Sequence, residues 1–158
     1  MARDIVLAIW ENVEFGGFLV GIKVSLILPS LNVAKYIRKC LDSVLNQTLR
    51  ELEVLCIDAG SVDGTREILQ EYADADRRIM LIDSPRRSYG YQVNLGISLA
   101  HGEYIGIVET DDYVQDNMYD HLYDLARKYS VDVAHADAAI VEEDTDEIVA
   151  RHIFSCHK

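Results

Sequence analysis

Cysteine is scarce in this chain: Cys40, Cys56 and Cys156 are the 3 in 158 residues, and no two lie close together. An odd count at that spacing argues against a disulfide framework or a four-thiolate zinc centre and fits reduced thiols. Long apolar runs are missing as well. The longest stretch without a charged side chain, Ser88 to Gly102, is rich in Gly, Ser, Tyr and Asn, and no window reaches the ~18 apolar residues of a membrane span. Asp4, Glu11 and Glu14 interrupt any signal-peptide pattern near the start. Basic residues are few, 15 Lys and Arg against 27 Asp and Glu, for a net charge of −12. The basic footprint of a nucleic-acid binder is therefore lacking. An anionic ligand would need a metal ion or local backbone donors to offset that field. There is no internal repeat, no low-complexity linker, no G-x-G-x-x-G after the first strand and no G-x-x-x-x-G-K-[ST] anywhere.

What is present is a globular composition, 49% apolar with 9 Tyr, at a length that predicts one domain. Residues 1–22 read as an N-terminal extension with little pattern. From residue 23 a rhythm begins. Val24–Leu28 reads as a buried strand, and Ile37, Leu41, Val44 and Leu45 as the buried face of a helix. Val54–Ile57 is a second strand, followed by a helix carrying Ile68, Leu69 and Tyr72 with Asp63 as its N-cap. Ile79–Ile82 is a third strand, and Val93, Ile97 and Ala100 mark a third helical face. Tyr104–Val108 is a fourth strand. Asp116 is placed to cap a helix carrying Met118, Leu122 and Leu125, and Val131–Ala134 starts a fifth strand. Continuous apolar strands alternating with helices predict an α/β fold, a mostly parallel, Rossmann-like sheet with helices on both faces.

In such a sheet, ligands bind beyond the C-terminal ends of the strands, and the unusual polar residues fall there. The first strand runs into Pro29, Ser30, Leu31 and Asn32, the second into Asp58, Gly60 and Ser61, and the fourth into Glu109, Asp111 and Asp112. Carboxylates one residue apart in a non-helical loop can turn toward one hard cation, and oxygen ligands select Mg²⁺ or Mn²⁺. A cation there would neutralise a departing diphosphate. Asp58 could accept the ring N–H of a uracil-like base. Taken singly, an Asp-Asp pair at a strand end more often caps a helix, and Gly, Ser and Asp are ordinary turn residues.

Taken together, VSLILPSLNVAKYIRKCLDSVLNQTLRELEVLCIDAGSVDGT at 24–65 and NLGISLAHGEYIGIVETDD at 94–112 resemble glycosyltransferase family 2, inverting enzymes of the GT-A fold that use nucleotide-sugar donors. The likeness spans about 23–137, which it implies is a nucleotide-sugar-binding domain. Residues 138–158 would then be a tail or the start of a truncated acceptor region. The resemblance implies that Pro29, Leu31 and Asn32 border the nucleotide, that Asp58 contacts the nucleobase, and that Gly60, Ser61 and Asn94 belong to the nucleotide-sugar site. Glu109-Thr110-Asp111 would be the metal and ribose motif, with Asp111 and Glu109 holding Mn²⁺ or Mg²⁺ and Asp112 following. It further implies a donor, most simply UDP-linked, and a glycan or lipid-linked acceptor, with bacterial cell-surface polysaccharide as the common theme. A cytoplasmic chain fits, as do the inner face of a membrane and a homo-oligomer.

The chain departs from the family pattern at Ala59 and Glu109, where Asp is usual, and at Val93, where an Arg often stands. Arg86 and Arg87 could take over as diphosphate partners, and Tyr89 and Tyr91 could stack on base or sugar. The general base lies in a later half of the family's domain. No residue here matches it, and neither Asp137 nor the acidic run 142–147 is assigned to it. The alternative is therefore a truncated or non-catalytic nucleotide-sugar-binding module or scaffold.

Overall fold

The computed structural model describes residues 6–9, 21–142, 145 and 147–152. The apolar stretch 15–20, Glu143, Asp144, Asp146, Cys156 and His157 lie outside them. In chain order the described elements are β1 (Val6–Ile9), β2 (Val24–Ser30), α1 (Ile37–Leu45), β3 (Leu52–Asp58), α2 (Thr65–Ala75) and β4 (Ile79–Asp83). There follow α3 (Tyr89–Leu99), β5 (Tyr104–Ile107), α4 (Met118–Tyr129), β6 (Val133–His135), β7 (Ala138–Val141) and β8 (Ile148–His152). One sheet has the order β4-β3-β2-β5-β1-β6, and β7 and β8 form a separate antiparallel pair.

The four strands β4, β3, β2 and β5 run parallel, as the alternation of strand and helix predicts. Every residue of β2 and β3 is buried, which explains their unbroken apolar character: successive side chains face opposite layers, and both layers are covered. Leu26, Leu28, Val54 and Cys56 face a core shared with Ile37, Cys40, Leu41 and Val44 of α1, Leu69 of α2, and Tyr119 and Leu122 of α4. Ile27, Leu55, Ile57 and Ile105 face the other layer, where Leu95 and Ile97 of α3 pack. Burial raises the Cys40 thiol well above its ordinary range and lifts that of Cys56 to about 12, so both serve as small core side chains.

Several local expectations change. Part of the region set apart as an extension is β1, which lies antiparallel between β5 and β6; a four-residue strand is too short for its pattern to stand out. The fifth strand expected at 131–134 is β6, shifted to Val133–His135, and Asp132 precedes it. The N-cap of α2 is Gly64, with Asp63 one residue earlier accepting the Thr65 N–H at 3.0 Å. For α4 it is Asn117, while the Asp116 carbonyl accepts the Thr48 N–H. The buried residues of α3 are Gln92 and Gly96, with Val93 and Ile97 at their flanks. A Val or Ile stripe is the stronger hydrophobic signal, but the closest approach to the sheet belongs to the residue without a side chain. The acidic run joins β7 to β8, where the described Glu142, Thr145 and Glu147 are exposed.

At the far end of the sheet Glu53, only 4% exposed, accepts from Ser25 Oγ at 2.5 Å and from the His101 N–H at 2.6 Å. This buried carboxylate is satisfied locally, as its burial requires.

The two glycines of α3 make opposite predictions. A Cβ on Gly96 would sit 2.5 Å from Ile27 Cγ2, whereas one on Gly90 meets nothing within 4 Å. Gly96→Ala is expected to lower stability by about 1–3 kcal/mol through overpacking, and Gly90→Ala to leave it unchanged or raise it by up to about 1 kcal/mol. Urea unfolding measures both; effects of the same sign would contradict this packing.

Candidate functional site at the carboxyl edge of the sheet

The register sets the site's scale. Ser30 at the end of β2 lies opposite Asp58 at the end of β3. On the other side of β2, Ile27 lies opposite Ile107, so the segment after β5 passes beside Pro29. Thr110 Oγ1 donates to the Pro29 carbonyl at 3.0 Å and ties the two together. Asp58 and Glu109 therefore flank β2 about two strand spacings, roughly 10 Å, apart.

The Asp58 side is a knitted pair of loops. Asn32 has a left-handed backbone, φ 54°, which Asn tolerates better than most residues. Its N–H donates to Ser61 Oγ at 3.0 Å and its Oδ1 accepts the Val62 N–H at 2.9 Å. The Val33 N–H donates to Thr65 Oγ1 at 2.8 Å, and the Ala34 N–H to Asp63 Oδ2 at 3.0 Å. Gly60 and Gly64 turn the second loop with φ of 79° and 98°, where a Cβ would be strained. The bonds from the Thr65 side chain and the Ala34 N–H hold the Asp63 carboxyl below its ordinary range.

Asp58 is 1% exposed. Its Oδ1 accepts from Ser61 Oγ at 2.5 Å, and its Oδ2 accepts the N–H groups of Gly60 and Ser61, each at 3.2 Å. Arg66 Nη1 stands 3.6 Å from Oδ2 and pairs more closely with Asp83. Arg66 escaped the sequence reading. The available signal was its place in the first turn of a helix, where cations are disfavoured unless a carboxylate draws them. Arg87 Nη2 donates to the Gly60 carbonyl at 2.9 Å, and Arg86 lies 5.0 Å from the ring of Tyr91.

On the Glu109 side, the Tyr89 hydroxyl donates to Glu109 Oε1 at 2.5 Å. Asp111 is exposed and Asp112 half-buried. Leu31 is exposed on the loop after β2. Asn94 is exposed, about 200° around α3 from the inward-facing Gln92. Gln92, which sequence reasoning passed over, is 4% exposed, and its Nε2 donates to the carbonyls of both Ser30 and Ile57, at 2.9 and 2.6 Å. Among the described residues no group of three or more His, Cys, Asp or Glu is arranged to hold a metal. Glu109 and Asp111 offer two hard oxygen donors at an open edge, a set that suits a cation drawing its other ligands from water and phosphate. No helix of the described residues is long and apolar enough to cross a membrane.

A family model described as Glycosyl transferase family 2 matches residues 25–156. Glycosyltransferase GlyA of Streptococcus pneumoniae serotype 4 is 34% identical over 116 residues, 73% of this chain and 17% of that protein. The chain spans between 17% and 37% of the length of the first curated relatives it matches. Among solved structures, S. aureus TarS 1-349 in complex with UDP superposes with a TM-score of 0.64 at 26% identity, covering 68% of this chain and 33% of that one. The mannosyltransferase PcManGT from Pyrobaculum calidifontis, in complex with GDP-Man and Mn²⁺, does so with a TM-score of 0.54 at 28% identity, covering 58% and 28%.

The lowered Asp63 carboxyl gives a pH prediction. A depressed folded pKa contributes stability that is present above the unfolded value, about 3.9, and is lost as pH falls through the folded value. Asp63→Asn should therefore be less stable than the parent at neutral pH, and the difference should shrink below about pH 4. Denaturation midpoints at pH 7 and pH 3 test this; a gap that widens on acidification would refute it.

Proposed function

This chain belongs to glycosyl transferase family 2 and has its GT-A fold, and from that premise we propose that it binds a nucleoside-diphosphate sugar and moves the sugar to a hydroxyl acceptor with inversion. The observation that carries this reading is the pairing at one rim of a buried carboxylate loop around Asp58 with an open carboxylate pair, Glu109 and Asp111, about 10 Å away. That span suits a nucleoside diphosphate, base at one end and phosphates at the other. Residues 23–137 are the donor-binding unit in this reading. The UDP of the TarS complex favours a UDP-linked donor.

On the base side, the loop 59–64 and Leu31 border the nucleobase. The hydrogen bonds to Asp58 come from its own loop, Gly60 and Ser61. Arg66, 3.6 Å from Oδ2 and bonded to Asp83 instead, is the neighbour that a ring N–H of uracil would move aside to reach that carboxylate. Arg87, bonded to the Gly60 carbonyl, brings positive charge to the base side of the rim in a chain whose net charge is −12. On the other side, Glu109 and Asp111 would hold Mn²⁺ or Mg²⁺, with Asp112 beside them. A cation bound there supplies charge neutralisation to the leaving diphosphate, and the Mn²⁺ in the PcManGT complex supports that use. The acceptor is a glycan or a lipid-linked sugar, reached from the cytoplasmic face of a membrane. The general base is assigned to no residue.

Thermal unfolding with UDP, GDP, CDP and TDP, each with and without Mn²⁺, tests the reading. Ligand at 100 times its Kd stabilises by about 2.7 kcal/mol, a rise of roughly 5–10 °C for a domain of this size. The expected result is a rise with one nucleotide, UDP first, that depends on Mn²⁺. Asp111→Ala, an exposed position, should remove the Mn²⁺ dependence and leave the ligand-free midpoint near that of the parent. No rise with any nucleotide would sink the donor site. A rise without sugar transfer to any acceptor would favour the binding-module reading.

A further inference from the structure

Helix α3 presents a stripe at i, i+3 and i+7: Tyr89, Gln92 and Gly96. Gly96 lies against Ile27, and Gln92 is bonded to the ends of β2 and β3. Tyr89 continues that stripe past the edge of the sheet, and there its hydroxyl meets Glu109 Oε1 at 2.5 Å. The main chain of Glu109 is held separately. Its carbonyl accepts the Asp112 N–H at 3.0 Å and the Cys40 thiol at 3.7 Å, and Thr110 is bonded to Pro29. The side chain still has its own rotamers to lose. Glu has one more rotatable bond than Asp, and a long polar side chain gives up appreciable freedom when it is ordered.

We infer that Tyr89 is a positioning residue that holds the Glu109 carboxylate in place for the divalent cation, offsetting the extra freedom of Glu. This rests on the reading that Glu109 and Asp111 hold that cation. A carboxylate has about four acceptor positions, and the Tyr89 O–H takes one of them, at Oε1. Because the backbone of Tyr89 is part of a helix pinned by Gln92 and Gly96, the hydroxyl is placed before any ligand arrives.

The test is Mn²⁺ affinity, by electron paramagnetic resonance titration with UDP, GDP, CDP and TDP in turn, together with nucleotide affinity by calorimetry in EDTA. Tyr89→Phe keeps the ring and should weaken Mn²⁺ binding in the nucleotide complex about tenfold, the low end for a residue behind a metal ligand, with the metal-free nucleotide affinity unchanged. In a Glu109→Asp background the shorter arm falls short of the hydroxyl, so Tyr89→Phe should then have no further effect. Parent-like Mn²⁺ affinity in Tyr89→Phe, or the same loss in both backgrounds, overturns the role of Tyr89 and leaves the metal site standing. An equal loss of metal-free nucleotide affinity also overturns it, because the ring would then be touching the nucleotide itself. Nucleotide binding by the parent that ignores Mn²⁺ removes the metal reading and this inference with it.

Discussion

The rim depends on one buried carboxamide. A buried carboxamide without acceptors costs about 1–3 kcal/mol, and a carbonyl oxygen has a second lone pair to offer it. Gln92 Nε2 donates to two carbonyls at once, Ile57 on β3 and Ser30 on β2, the latter also accepting the Ala59 N–H at 3.0 Å. The same bonds lock the first turns of α3 against both strands. The loop after β2, the loop after β3 and the start of α3 thus share a reference point, and Arg87 and Tyr89, just before and at the start of α3, reach to opposite sides of the rim.

From that point the two halves of the site are built by different means. Around Asp58 the polar groups satisfy one another: loop N–H groups, two hydroxyls and two carboxylates close a network between residues 32–34 and 58–65. A network whose members satisfy one another around two buried side chains, Asp58 and Thr65, keeps its shape. Around Glu109 the backbone is anchored to Pro29 and Cys40, while Asp111 faces solvent. A rigid loop suits recognition of a base, and exposed carboxylates suit a cation that shares its ligands with water and phosphate.

Much of the fold was legible because hydrophobic period is a local property. The runs Val24–Leu28 and Val54–Ile57 and the spaced Ile37, Leu41 and Val44 are explained by the buried strands and helix face they form. Legibility failed where a residue's role depends on what lies opposite. Gly96 is not part of the helical face read from Val93, Ile97 and Ala100, yet it is the contact with Ile27. Gln92, a polar residue outside that face, is likewise turned to the sheet. Asp63 and Asp116 had the right chemistry for N-caps, but the caps, Gly64 and Asn117, stand one residue beyond each of them. The strand β1 was illegible because four residues carry too little period, and its pairing lies almost a hundred residues away, at β5.

The sequence by itself determined the order of strands and helices from β2 to β6, the family, and which loops carry carboxylates. Those follow from apolar spacing and from motif residues that stand close together in the chain. Only the tertiary structure decided that Asp58 is buried and already bonded, that Arg66 stands beside it, that Gln92 is turned to the ends of β2 and β3, and that Tyr89 reaches Glu109. Except for the bonds that Asp58 makes within its own loop, each of these follows from how α2 and α3 pack against the sheet. Such packing brings together groups 8 to 62 residues apart in the chain, a relation that no local pattern of residue types encodes.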